Sequence, residues 1–153
     1  MTVPPLPGAC HEPALTARIA LIATSHRRLT GRELVSPGSA DPVAALWQAP
    51  QAIVAHDTQA DPVFFFGNAA ALTAFECDFA AFTRLPSRLS AEPALREERA
   101  RFMARVAAEG FVDDYSGWRV SQKGRRFLIP RGTVWNLVDA GGTVWGQAAA
   151  FAI

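Results

Sequence analysis

Tyr115 and Arg119 stand four residues apart, just after the acidic pair Asp113-Asp114. Four residues is strand spacing, so both side chains share one face if no bulge intervenes. On an apolar inner face such a pair would orient a bound ligand; it would serve equally as a structural contact beside Gly117. The three histidines carry less. His26 falls on an apolar helical stripe and reads first as a half-buried packing residue, second as a pH sensor. His56-Asp57, near Asp61, reads as a hydrogen-bonded turn before it reads as a catalytic pair. Cys10-His11-Glu12 is compact, but no second cluster completes four metal ligands. There is no GxSxG, HExxH, Walker loop or Rossmann glycine pattern. No nucleophile or base stands out, so the chain reads as a non-enzyme.

Composition narrows the class. The chain has 153 residues, half of them hydrophobic, enough for one domain with one core. Fifteen basic and fourteen acidic residues leave a net charge of +1, which argues against a nucleic-acid partner or a polybasic membrane anchor. Arg96, Arg99, Arg101 and Arg105 are offset by Glu97, Glu98 and Glu109 and read as a solvated helix face. No apolar run approaches the roughly 20 residues that span a bilayer. The early run at residues 19–23 ends at His26, Arg27 and Arg28 and lacks the marks of a signal peptide. Cys10 and Cys77 lie far apart and form no disulfide framework, so a cytoplasmic setting is expected. Fourteen arginines against the single Lys123, among many alanines, fit the codon bias of a GC-rich bacterial genome.

Residues 1–11, with Pro4, Pro5, Pro7 and Gly8, read as a flexible leader before a single domain over residues 12–153. A helix is expected from Pro13, with Leu15, Ile19, Ile22, His26 and Leu29 on one stripe and a stop at Thr30-Gly31. A loop follows through Pro37, Gly38, Ser39 and Asp41, then a short helix at residues 42–48. Residues 51–56 and 63–66 read as strands, with a turn at Asp61-Pro62 between them. Asn68 then caps a helix over residues 69–75. Asp78 caps another short helix, stopped by Pro86. The longest helix is expected to start at residues 90–93 and to run to Gly110, with Leu95, Phe102, Met103 and Val106 on one face. Glu97 and Arg101 form a favourable pair on its other face. Strands at residues 112–121, 125–138 and 143–153 close the domain through turns at Lys123-Gly124 and Gly141-Gly142. The simplest packing is α+β, a five-stranded antiparallel sheet with helices on one face. Val134 to Val138 is mostly apolar on both parities, so the second face needs a cover too, either the N-terminal helix or a second subunit.

This order resembles a PAS domain, and the residues resemble, more narrowly, bacterial MEKHLA-domain proteins. The likeness rests on Asp61-Pro62, Asn68-Ala69, the stretch from Leu85 to Glu92, and Glu98-Arg99. It continues through the stretch from Gly110 to Gly117, Arg119-Val120-Ser121, Gly124-Arg125-Arg126-Phe127, Val134-Trp135-Asn136-Leu137 and Gly146-Gln147-Ala148-Ala149. It spans roughly residues 12–151. By analogy with PAS domains it implies a sensor of light, oxygen, redox state or a small molecule.

That resemblance makes specific demands on a cofactor. Photoactive flavin domains carry a cysteine before the long helix; here the matching position is Ser87, which cannot form a thiol adduct. Asn136 and Gln147 are the residue types that hold a flavin edge. Gln147, however, directly follows Gly146, one residue short of the flavin spacing, which would turn it to the other face. Flavin is therefore disfavoured. No histidine lies on or near the long helix, which disfavours haem, and the cofactor stays unassigned. The expectation is a small-molecule sensor for an apolar or aromatic ligand, with no output module in the chain. Its pocket would be walled by Leu72, Phe75, Phe102, Val106 and Tyr115, with Arg119 and Asn136 as polar contacts. The alternative is a filled-core interaction module that forms a homodimer or docks a partner through the outer sheet face and the N-terminal helix.

Overall fold

The computed structural model describes residues 3–36, 41–91 and 96–153. The loop residues Pro37, Gly38 and Ser39, the expected helix-start residue Pro93, and Glu92 and Leu95 lie outside the described residues.

Local chemistry sets most element ends. The helix α1 (Pro13–Thr30) opens on proline and stops at Gly31, whose φ of 73° is left-handed and whose N–H reaches Arg27 O. The short helix α2 (Pro42–Gln48) is capped by Asp41, whose carboxylate accepts from the Val43 and Ala44 N–H groups. Strands β1 (Ala52–His56) and β2 (Phe64–Gly67) follow. Helix α3 (Ala69–Phe75) is capped by Asn68 and α4 (Phe79–Phe82) by Asp78. A 3-10 turn at Ser87–Ser90 leads towards α5 (Arg96–Glu109). The chain closes with β3 (Phe111–Val120), β4 (Arg126–Val138) and β5 (Val144–Phe151). The second strand starts one residue later than its sequence suggests, because Val63 makes only a lone bridge to Pro86.

The five strands form one antiparallel sheet in the order β2-β1-β5-β4-β3. Its two faces feed two separate cores. Trp135, Leu137, Ile53 and Ala148 point outward against Ile19, Ile22 and Leu46. Val134, Val54, Ile129 and Phe151 point inward against Phe75, Phe82 and Val106. This double burial is what the two-parity apolar pattern requires. Of the two covers left open by the sequence, the structure has α1 on the outer face. Trp135 Nε1 donates to Ile22 O at 3.1 Å, and Ser25 Oγ both donates to Val138 O and accepts from Val138 N. His26 is buried, stands edge-on to Trp135 with centroids 4.8 Å apart, and has its Nδ1 3.0 Å from Arg32 O. Burial lowers its imidazole pKa below the ordinary value.

The leader is held more closely than its composition suggests. Trp47 Nε1 donates to Pro4 O at 2.7 Å, a 3-10 turn spans Gly8–His11, and Cys10 is buried. Burial pushes the Cys10 thiol pKa up to about 11, far from the reactive range. Among the described residues no helix is long and apolar enough to cross a membrane.

Two positions are expected to be intolerant. Gly146 has φ 146°, and a Cβ there would overlap the His56 carbonyl oxygen of the neighbouring strand. Gly146→Ala should cost at least about 3 kcal/mol in urea unfolding. A loss under 1 kcal/mol would show that the β1–β5 approach relaxes freely. Asn68→Ala removes a fully buried amide and takes away the side-chain acceptor of the Ile53 and Ala71 N–H groups. It should cost a further separate ~3 kcal/mol or more, measured the same way.

Candidate functional site

The inner face carries the polar side chains. Tyr115 and Arg119 both point inward, as their spacing predicts. Register shifts flank Tyr115, but the shift between Tyr115 and Gly117 places the extra residue in β4, opposite, so Gly117 and Arg119 keep phase with Tyr115. Gly117 has a further role: a Cβ there would sit 2.6 Å from the Tyr115 hydroxyl. The missing side chain lets the Tyr115 ring lie along the strand towards Arg119, whose guanidinium carbon is 5.1 Å from the ring centroid.

Arg119 is only 7% exposed. Its Nη1 donates to Trp118 O at 3.2 Å, and its guanidinium lies over the Tyr115 ring. Among the described residues no carboxylate forms an ion pair with it. Burial lowers its pKa and Tyr115 opposes the shift. An arginine starts so high that it stays charged regardless. A guanidinium has five N–H donors, so this one is underused.

Asn136 and Gln147 tie α5 to the sheet. Asn136 Nδ2 donates to Val106 O at 3.2 Å; Gln147 Nε2 donates to Asn136 Oδ1 at 3.1 Å and reaches Met103 O at 3.4 Å. Gln147 therefore faces inward, and the expectation that it would point to the other face is corrected. The cause is an extra residue in β5. Leu137 pairs with Gly146 but Val138 pairs with Val144, and Gly146 takes its positive φ at that irregularity. Gln147 Oε1 is buried and has no hydrogen-bond partner among the described residues.

Two spaces meet at Arg119 and Tyr115. One is enclosed, holds about 30 Å³, and is bordered by Phe64, Phe75, Ser90, Met103, Tyr115, Arg119 and Gln147 among others. That volume is room for one or two waters. The other is an open groove of about 440 Å³ between α5 and β3, walled by Phe102, Tyr115, Trp118, Leu128, Arg101 and Arg105 among others. The Phe102 and Tyr115 rings lie 4.3 Å apart, with Phe102 on the groove and Tyr115 bordering both spaces. Arg101 and Arg105 are paired on the solvent side with Glu97 and Glu109.

The residues expected to form a pocket thus divide. Phe75, Phe102, Tyr115 and Arg119 gather around these two spaces. Val106 is buried in the inner core behind them, and Asn136 is occupied in holding α5. Leu72 lies elsewhere, in a surface groove with Trp47, Cys77 and Phe79. Gln147, Ser90, Met103 and Trp118 join the site without having been singled out as pocket residues. Gln147 carried a signal as an amide type suited to a ligand edge, and Met103 by sharing the apolar face of the long helix with Phe102 and Val106. His56-Asp57 is a bonded turn: Asp57 Oδ1 accepts from Gln59 N and Val63 N, and His56 Nδ1 lies 2.9 Å from Asp57 O.

A flavin does not fit this interior as packed. Phe64, Phe75 and Phe127 fill the inner core around the small enclosed space, and the thiol position is the buried Ser87. Cys77 is in the Leu72 groove, away from that position.

Comparison with known proteins agrees with this architecture. No curated protein matches the chain. Among solved structures it is similar to the PAS domain of a Colwellia psychrerythraea protein, with a TM-score of 0.59, 15% identity, and coverage of 70% of this chain and 88% of that one. It is similar to an RNA-binding light-oxygen-voltage receptor at a TM-score of 0.59 and 17% identity, covering 80% of this chain but 36% of the receptor. It is also similar to the ethanol-bound PAS domain of a LuxR-family transcriptional regulator from Burkholderia thailandensis, at a TM-score of 0.53 and 19% identity, covering 70% and 92% of the two chains. These likenesses establish a PAS-like α+β fold. The sequence pattern of the MEKHLA domain matches residues 16–153, nearly the whole chain, and the chain belongs to the MEKHLA domain family.

Proposed function

We propose that this domain is a sensory or regulatory module, not a catalyst, and that it binds a small apolar or aromatic molecule between α5 and the inner face of the sheet. The observation that carries the reading is Arg119. A buried guanidinium with no carboxylate among the described residues is costly to hold, and binding sites are where such costs are kept. It sits where an enclosed space and an aromatic-walled groove meet, the arrangement of a ligand site. Structural relatives include a light-oxygen-voltage receptor and an ethanol-bound regulator domain, which supports sensing as the role of the fold. A ligand there would touch Met103 and Phe102 of α5, so occupancy would bias the packing of that helix.

A second reading, an interaction module with a filled core, draws on the small size of the enclosed space and on the exposure of Trp118 and Leu128. Native mass spectrometry of the purified chain, with an absorption spectrum, separates the two. A bound adduct or a visible band is expected; a clean apo mass together with no thermal shift from any small molecule would favour the filled-core module. Arg119→Met gives an independent check. If the charge is held for a ligand, removing it should stabilise the apo protein by about 1 kcal/mol or more, a rise in Tm of roughly 2–4 °C. A fall in Tm would mean that the guanidinium already serves an internal partner.

A further inference from the structure

We propose that the ligand is a 2-hydroxy or 2-amino carboxylic acid with an aromatic or apolar body: its carboxylate is held by Arg119 and Tyr115, its donor by Gln147 Oε1, and its body by the α5–β3 groove. This rests on the sensing reading above and names the ligand class.

Two unmet demands border the same enclosed space. The first is cationic. Arg88, Arg101 and Arg105 are exposed and each has a carboxylate partner, whereas the buried Arg119 has none among the described residues. The planar fork of a guanidinium matches a carboxylate in two parallel hydrogen bonds, and Tyr115, which borders the same spaces, brings a hydroxyl as a further donor. The second demand is for a donor. Gln147 spends its Nε2 on Asn136 and α5, and its Oε1 is left buried and unpaired. A water would satisfy Gln147 but leave Arg119 without an anion. A plain acid would do the reverse. A neutral alcohol or amide would leave the guanidinium uncompensated. One molecule that carries both an anion and a donor meets both demands.

Size sets where each part goes. The enclosed space of about 30 Å³ admits one or two non-hydrogen groups, so only a short polar arm enters it. Arg119 and Tyr115 also border the open groove of about 440 Å³. The body therefore lies in the groove, against Phe102 and Trp118, where ring faces favour an aromatic or branched apolar group. A donor on the carbon next to the carboxylate is the placement that keeps the polar arm this short.

Three probes test the assignment by calorimetric titration of the full chain: 3-phenyllactate, 3-phenylpropionate and the methyl ester of 3-phenyllactate. The hydroxy acid should bind most tightly. Loss of the hydroxyl and loss of the charge should each weaken binding by at least about tenfold. Gln147→Leu should abolish the preference for the hydroxyl while keeping the preference for acid over ester. Arg119→Met should abolish the preference for acid over ester. Each ratio is read within one variant, so a general loosening of α5 cancels. An ester that binds as well as the acid, or a hydroxyl preference that survives Gln147→Leu, would overturn the assignment. If no probe binds while native mass spectrometry shows an uncharged adduct, the ligand class is wrong and the sensing reading stands. If no probe binds and no adduct appears, both fail.

Discussion

The side-chain amide of Asn68 reaches four stretches of backbone at once. Its Oδ1 accepts from Ile53 N in β1 and from Ala71 N at the start of α3, each at 3.0 Å. Its Nδ2 donates to Leu46 O in α2 and to Gln51 O, at 3.0 and 2.9 Å. The residue is fully buried, so the backbone groups it serves lose a partner that water does not readily replace. The consequences spread outward. The cap sets the direction of α3, which carries Phe75 into the inner core. The bond to Ile53 extends the pairing of β1 with β2, and β1 on its other edge carries His56 opposite Gln147 of β5. The bond to Leu46 seats α2, and with it Trp47 under the leader.

A sheet covered on both faces divides the work of the molecule. The outer core is satisfied from within the chain, by α1 with Trp135 and Ser25 bonded to backbone across the contact. Among the described residues no buried side-chain polar atom on that face lacks a partner. The inner face is different. Its helices are short or, in α5, strongly charged on the solvent side, and they are tied to the sheet by side-chain amides as well as apolar packing. There the chain keeps a buried cation and an acceptor unpaired among the described residues, next to a small space. Cores are close-packed and their polar groups paired. The departure from both rules at one place distinguishes that place from the rest of the interior.

Several elements were legible because their signals are local. Pro13 and Gly31 bracket α1, Asp41 and Asp78 cap α2 and α4, and the pattern at Ile19, Ile22 and His26 names the buried stripe. The apolar parity of residues 134–138 showed that the sheet needed covering twice, and the shared face of Tyr115 and Arg119 followed from spacing. Other features depended on events that spacing does not encode. The irregularity at Gly146 moved Gln147 to the inner face, although counting from the glycine placed it on the other. The proline-rich leader looked flexible from composition, yet the Trp47 indole holds it. Leu72 matched the apolar character of a pocket wall but lines a surface groove with Trp47 and Phe79 and not the enclosed space.

Strand phase, helix stripes, caps and turns all arise from interactions within a few residues, so the residue order alone determined the element order and the α+β class. Which of the two covers lay on the outer face was decided only by folding, since it depends on whether α1 can reach Val138 and Trp135, more than a hundred residues away. The same holds for the site. Composition can supply an arginine, a tyrosine and a glutamine, but whether a charge is buried without a counterion depends on every element around it. That property belongs to the packed molecule, because burial and pairing are sums over neighbours that the chain brings together only in three dimensions.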